Sequence, residues 1–199
     1  MRILLVGGRG TIGRAVAAEL APRHEVIEAG RNSGTVALDL ADGKSVRRAL
    51  DSLGPLDAIV SAAGHVGWGP LLELTPAQWD FSVSNKLMGQ VVLALVGAEF
   101  LRDGGSITLT SGVLVDEPVV GGAAASLANG GIEAFVRAAA IELPRGLRIN
   151  AVSPGVVRES GDDYASVFRG FEPVPAARVA LAYSRSVEGA DTGKVYAVR

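Results

Sequence analysis

Short apolar runs alternate with longer amphipathic stretches from one end of the chain to the other. Runs containing β-branched residues lie at 2–6, 25–29, 35–38, 57–60, 106–110, 147–152 and 194–198. Between most of them are stretches of helical length, at 11–21, 43–52, 76–102, 123–143 and 176–186. Continuous apolar runs mark strands buried on both faces, and strands separated by helices imply βαβ units. The pattern therefore predicts a Rossmann-type α/β fold in three layers. Its doubly wound, mostly parallel sheet has about seven strands with helices on both faces. A single domain is expected over 1–199. Val91–Val96 is apolar all the way round, and 132–143 is largely so, with Phe135, Val136 and Ile141. Both helices are expected to pack beyond the sheet, across the interface of a homo-oligomer, a dimer or tetramer.

Composition narrows the chemistry. Nearly half of the 199 residues (48%) are hydrophobic, enough for one core. The net charge is −2 and the nineteen basic residues are scattered, which argues against nucleic-acid and anionic-membrane partners. Without cysteine there is no disulfide and no thiolate nucleophile, and His24 and His65 are too few for a histidine metal site. No apolar run reaches the length of a signal or membrane segment, so a cytoplasmic protein is expected. The stretch 155–175, with Gly155, Gly161, Gly170, Pro173 and Pro175, has the composition of a mobile flap over a site.

The sharpest motif is Val6-Gly7-Gly8-Arg9-Gly10-Thr11-Ile12-Gly13, which leaves the first strand and opens the first helix. Gly7 makes the tight turn, a small residue in mid-loop admits a diphosphate, and Gly13 lets helix and strand approach. The helix N-terminus then offers free amides and a positive dipole end. The motif predicts a nicotinamide dinucleotide. At the end of the second strand, Arg31 is placed to meet a 2′-phosphate, with Arg9 flanking it, which favours NADP. NAD stays open as the alternative, because Glu28 is an acidic residue on the same strand.

Further landmarks resemble the short-chain dehydrogenase/reductase family along nearly the whole chain. Leu38-Asp39-Leu40-Ala41-Asp42 resembles the segment that contacts adenine, and Val60-Ser61-Ala62-Ala63-Gly64 the stretch after the fourth strand. Gly104 to Ser111 resembles the strand leading to the active-site serine. Arg148 to Gly155 is similar to the strand and Pro-Gly turn beside the nicotinamide, and Thr192 to Val198 to the last strand. The resemblance implies cofactor contacts from Gly7, Arg9, Gly10, Thr11, Ile12, Gly13, Arg31, Asp39, Leu40, Ala62, Ala63, Gly64, Pro154, Gly155 and Val157.

It also implies a Tyr-x-x-x-Lys pair on one helical face, a serine and an asparagine, and here the chain departs from it. Alignment on Gly131 to Phe135 places Ala125 at the tyrosine and Asn129 at the lysine. Gly112 falls at the serine, with Ser111 one place before, and Lys86 at the asparagine, with Asn85 one place before. A one-residue shift restores Ser111 or Asn85; none supplies the tyrosine. The remaining candidates are Lys86 as a buried acid, Ser111 as a holder of substrate oxygen, His65 as an acid–base, and Tyr164 in the flap. Trp68 and Trp79 read as packing residues. Two functions stay open: hydride transfer between NADP(H) and a small carbonyl or alcohol with a rearranged proton donor, or a nonenzymatic dinucleotide-binding sensor or scaffold.

Overall fold

A computed structural model of the chain describes residues 1–160 and 167–199. Seven parallel strands form one sheet in the order β3-β2-β1-β4-β5-β6-β7. They are β1 (Arg2–Val6), β2 (Glu25–Gly30), β3 (Val36–Ala37), β4 (Leu56–Ser61), β5 (Leu101–Thr110), β6 (Arg148–Pro154) and β7 (Val195–Val198). The helices are α1 (Thr11–Leu20), α2 (Gly43–Leu53), α3 (Pro76–Ser82), α4 (Gly89–Ala98), α5 (Ala123–Glu142) and α6 (Ala176–Glu188). The doubly wound architecture expected from the pattern is present. The winding direction reverses between β1 and β4, where a crevice opens beyond the carboxyl ends of the strands.

Successive side chains on a strand point to opposite faces, and β1 shows the consequence. Leu4 and Val6 join the core under α2, α4 and α5, with Val46, Leu50, Leu93 and Ile132. Ile3 and Leu5 join the opposite core under α1 and α6, with Val16, Leu20, Val179 and Tyr183. All four β1 residues are buried, so removing any one side chain to Ala costs about 2–5 kcal/mol.

Two boundaries differ from the sequence pattern. The run 76–102 is not one regular helix: α3 passes through a π-helical turn, Val83–Met88, into α4, which ends at Ala98. Thr75 starts it with a capping box shared with Gln78, and Pro76 occupies the first turn, where no amide partner is lost. Strand β5 starts at Leu101, where polar Arg102 and Asp103 hide it from the hydrophobic pattern; Leu101 pairs with Leu56. Pro76–Ala98 is long and apolar enough to cross a membrane, yet Val91, Leu93 and Ala94 are buried against the sheet.

Candidate active site and nucleotide cleft

The glycine loop is built as its sequence requires. Gly7 takes φ +84° and its amide donates to the Ala29 carbonyl, tying the turn to β2. A Cβ on Gly13 would stand 2.0 Å from the Gly7 oxygen, so only glycine lets the first turn of α1 lie on the loop. Gly10 caps α1 without a side-chain hydrogen bond, which leaves the Thr11, Ile12 and Gly13 amides without intrahelical acceptors. The amides open to a diphosphate are those of the helix start, because the Gly7 and Gly10 amides are already bonded, the latter to the Gly7 oxygen.

Two adjoining hollows run along the strand ends and share Ala63, Gly64 and His65. The first, of ≈ 260 Å³, is lined by Gly7, Arg31, Asp39, Leu40 and Asn85, together with Asn32 and Ser33, which the sequence did not single out. Arg31 is exposed here and has no ion-pair or hydrogen-bond partner among the described residues. Arg9 does not line this hollow. It pairs with Glu28 at 2.8 Å, and Glu28, which lies against Gly8, does not line the hollow either. The ambiguity left by the sequence thus separates into an occupied pair, Arg9–Glu28, and an open cation, Arg31.

The second hollow, of ≈ 370 Å³, brings together Ile12, Ala62, Lys86, Ser111, Ala125, Asn129, Pro154, Gly155 and Val157. Its outer wall is Val66, Trp68, Val113, Leu114 and Phe168; Trp68 meets Phe168 edge to face at 6.2 Å. Trp68 is therefore a wall of the site rather than packing alone. No Asp or Glu belongs to this lining, which includes described residues only.

Lys86 enters this hollow from the π-helical turn. Its Nζ donates to the Ser111 carbonyl at 3.4 Å, and its stem lies under Gly64, where a Cβ would come within 2.9 Å of Lys86 Cγ. Desolvation by burial lowers its pKa to about 8. Asn85, one place earlier, faces the loop after β4 and accepts the His65 amide at 2.8 Å. In the π turn two neighbouring residues thus serve the same crevice, a placement typical of such insertions at functional sites.

Ser111 departs from its expected part. Its hydroxyl donates to the buried Glu133 carboxylate at 2.8 Å and lies 3.3 Å from the Asn129 carbonyl, under α5. It holds the helix to the strand, and the group it offers toward Lys86 is its carbonyl. Ala125 sits in the apolar cluster with Val113 and Leu114 and carries no proton. Asn129 is 3% exposed, and its Oδ1 has no hydrogen-bond partner among the described residues. Gly112 packs on it so closely that a Cβ would meet Asn129 Nδ2 at 2.9 Å. His65 is exposed at the junction of the two hollows. Tyr164 lies outside the described residues. Val66, Val113, Leu114 and Phe168 carried no sequence signal, being apolar residues from three separate loops.

The switch-point crevice, the uncapped helix and the two joined hollows define a dinucleotide-binding α/β protein. The chain belongs to the short-chain dehydrogenase/reductase family of oxidoreductases: the family model described as enoyl-(acyl carrier protein) reductase matches residues 11–198. It is 30% identical over 198 residues to versicolorin reductase of Emericella nidulans, covering 86% of this chain and 74% of that protein. Among solved structures it is similar to the protein lin1944 from Listeria innocua, with 49% identity, TM-score 0.99 and full coverage of both chains. It is also similar to a small-chain dehydrogenase in complex with NADPH, at 29% identity and TM-score 0.88, covering 100% of this chain and 96% of that one.

Proposed function

We propose that the protein is an NADP(H)-dependent oxidoreductase that interconverts a small carbonyl compound and its alcohol, with Lys86 as the proton donor. The observation that carries this reading is one crevice with a guanidinium, Arg31, unpaired among the described residues, at one end and a desolvated ammonium, Lys86, at the other.

The residues fit the dinucleotide. Arg31 would hold the 2′-phosphate, and the free amides of Thr11 and Ile12 the diphosphate. Asp39 and Leu40 would border the adenine, and Ala63, Gly64, Pro154 and Gly155 the nicotinamide. The orphaned Oδ1 of Asn129 is an acceptor for a ribose hydroxyl. The relative crystallised with NADPH supports this cofactor.

When bound, NADPH supplies the hydride. Lys86, charged below about pH 8, donates a proton to the oxygen that accepts negative charge. Trp68, Val113, Leu114 and Phe168 exclude water and leave room for an apolar carbonyl substrate. Ala125 cannot take part, which supports an acid on the π-turn side of the hollow rather than on α5.

Incubation with NADPH and a panel of aldehydes and ketones, followed at the reduced-nicotinamide absorbance, tests the reading. Turnover that is lost in Lys86→Met supports it. Tight NADPH binding with no turnover on any member instead supports the second reading, a cofactor-binding sensor, which Ala125 favours. We further infer a homo-oligomer from the exposed Leu95, Leu127 and Ile141 on α4 and α5; light scattering at the expected monomer mass overturns it.

A further inference from the structure

We propose that Gln90 is a positioning residue that sets where Lys86 stands, by clamping the π-helical turn of the 76–98 helix to the end of β5. This rests on the reading of Lys86 as proton donor.

Gln90 is fully buried, four residues after Lys86, and its amide is used on both sides. Nε2 donates to the Lys86 carbonyl at 3.2 Å and to the Thr110 carbonyl at 2.9 Å, while Oε1 accepts the Thr110 amide at 2.8 Å. The β4–β5 ladder runs as far as the pair Val60 and Thr108, so Thr110 lies past it on this side. The side chain of Gln90 takes the place of a neighbouring strand there, satisfying backbone groups that would otherwise be buried without partners. The next residue, Ser111, is held from the other side by the Val152 carbonyl at 2.8 Å, and its own carbonyl receives Lys86 Nζ. One amide thus fixes both the root of Lys86 and the strand end that Lys86 Nζ touches.

Proton transfer is sensitive to this placement. A catalytic group displaced by about an ångström loses up to about a hundredfold in rate. Among the described residues, the titratable groups near Lys86 and its clamp are His65, which lines the same hollow, Glu133 on α5, bonded to Ser111, and Tyr183 on α6, bonded to Thr110. Glu133 is engaged by Ser111 and Arg137, and Tyr183 by Thr110, so neither replaces the clamp. Without it, the turn relaxes and water reaches the ammonium.

The test uses Gln90→Met, which keeps length and loses the amide, and Gln90→Asn, which keeps the amide but is too short to bridge. The chain has three lysines, Lys44, Lys86 and Lys194, so a ¹³Cε-lysine NMR titration resolves Lys86 without substrate or cofactor. In either folded variant the Lys86 midpoint is expected to rise toward the free-lysine value, and the alkaline limb of kcat with it. kcat at neutral pH is expected to fall about tenfold to a hundredfold, with KM and NADPH affinity unchanged. An unchanged Lys86 midpoint and unchanged alkaline limb in a folded variant overturn the clamp. Full activity in Lys86→Met overturns the acid role instead, and the NMR midpoint then decides the Gln90 clamp by itself.

Discussion

Lys86 Nζ lies 3.4 Å from the carbonyl oxygen of Ser111, while the Ser111 hydroxyl turns the other way, to Glu133. The hydroxyl expected to hold a substrate oxygen therefore faces the protein, and the Lys86 ammonium faces the hollow. The two residues face opposite ways, and their substitutions should have opposite effects.

Lys86→Met should remove turnover and raise stability at neutral pH. Burial depresses the lysine's pKa from 10.5 to about 8, so the unfolded chain binds the extra proton more tightly. The resulting penalty is fully present below about pH 8 and is relieved as pH rises toward 10.5. Its size is on the order of 3 kcal/mol. Thermal melts across this range should show wild type gaining stability with rising pH relative to Lys86→Met; parallel curves would contradict a desolvated ammonium.

Ser111→Ala should behave as a structural variant. It removes the donor to Glu133 Oε1 and leaves only Arg137 on Oε2, at a cost of about 1–3 kcal/mol. Activity per folded molecule should stay within a few-fold of wild type. Denaturant titration alongside steady-state kinetics separates the two effects, and a large drop in kcat with unchanged stability would return Ser111 to the reaction.

Arg31→Asp should reverse cofactor preference, because it removes the unpaired cation and adds an acid suited to ribose hydroxyls. Loss of a charge-assisted contact worth about 1.5–3 kcal/mol corresponds to roughly ten- to a hundredfold weaker NADPH binding. Arg9→Ala, which only breaks the Arg9–Glu28 pair, should change the NADPH to NADH ratio little. Competitive fluorescence titrations of both variants measure this.

Gly13→Ala should destabilise the fold and abolish dinucleotide binding together, since its Cβ would stand 2.0 Å from a backbone oxygen. Gly8→Ala is the control: its close neighbour is the Glu28 side chain, with Cγ at 2.8 Å, which can move. Retained binding in a folded Gly13→Ala protein would contradict the role given to that glycine.

Local features were legible in the sequence because their causes are local. Strand β1 and the Gly7–Gly13 loop each follow from a few adjacent residues. Lys86 was legible as a candidate only through alignment; its entry into the hollow depends on a π turn, which a 3.6-residue period cannot register. The direction of the Ser111 hydroxyl is set by Glu133, twenty-two residues away. Arg9 and Arg31 looked alike as sequence, and only the fold gave one a carboxylate and left the other open. The wall of Trp68, Val113, Leu114 and Phe168 assembles from distant loops, so no pattern announced it.

Calorimetric titration of the wild-type protein with NADPH tests the central claim most directly. The expected result is one site per chain, with NADH binding at least about tenfold more weakly. No heat and no change in melting temperature with NADPH, from well-folded protein, would contradict the nucleotide cleft and the chemistry assigned to it.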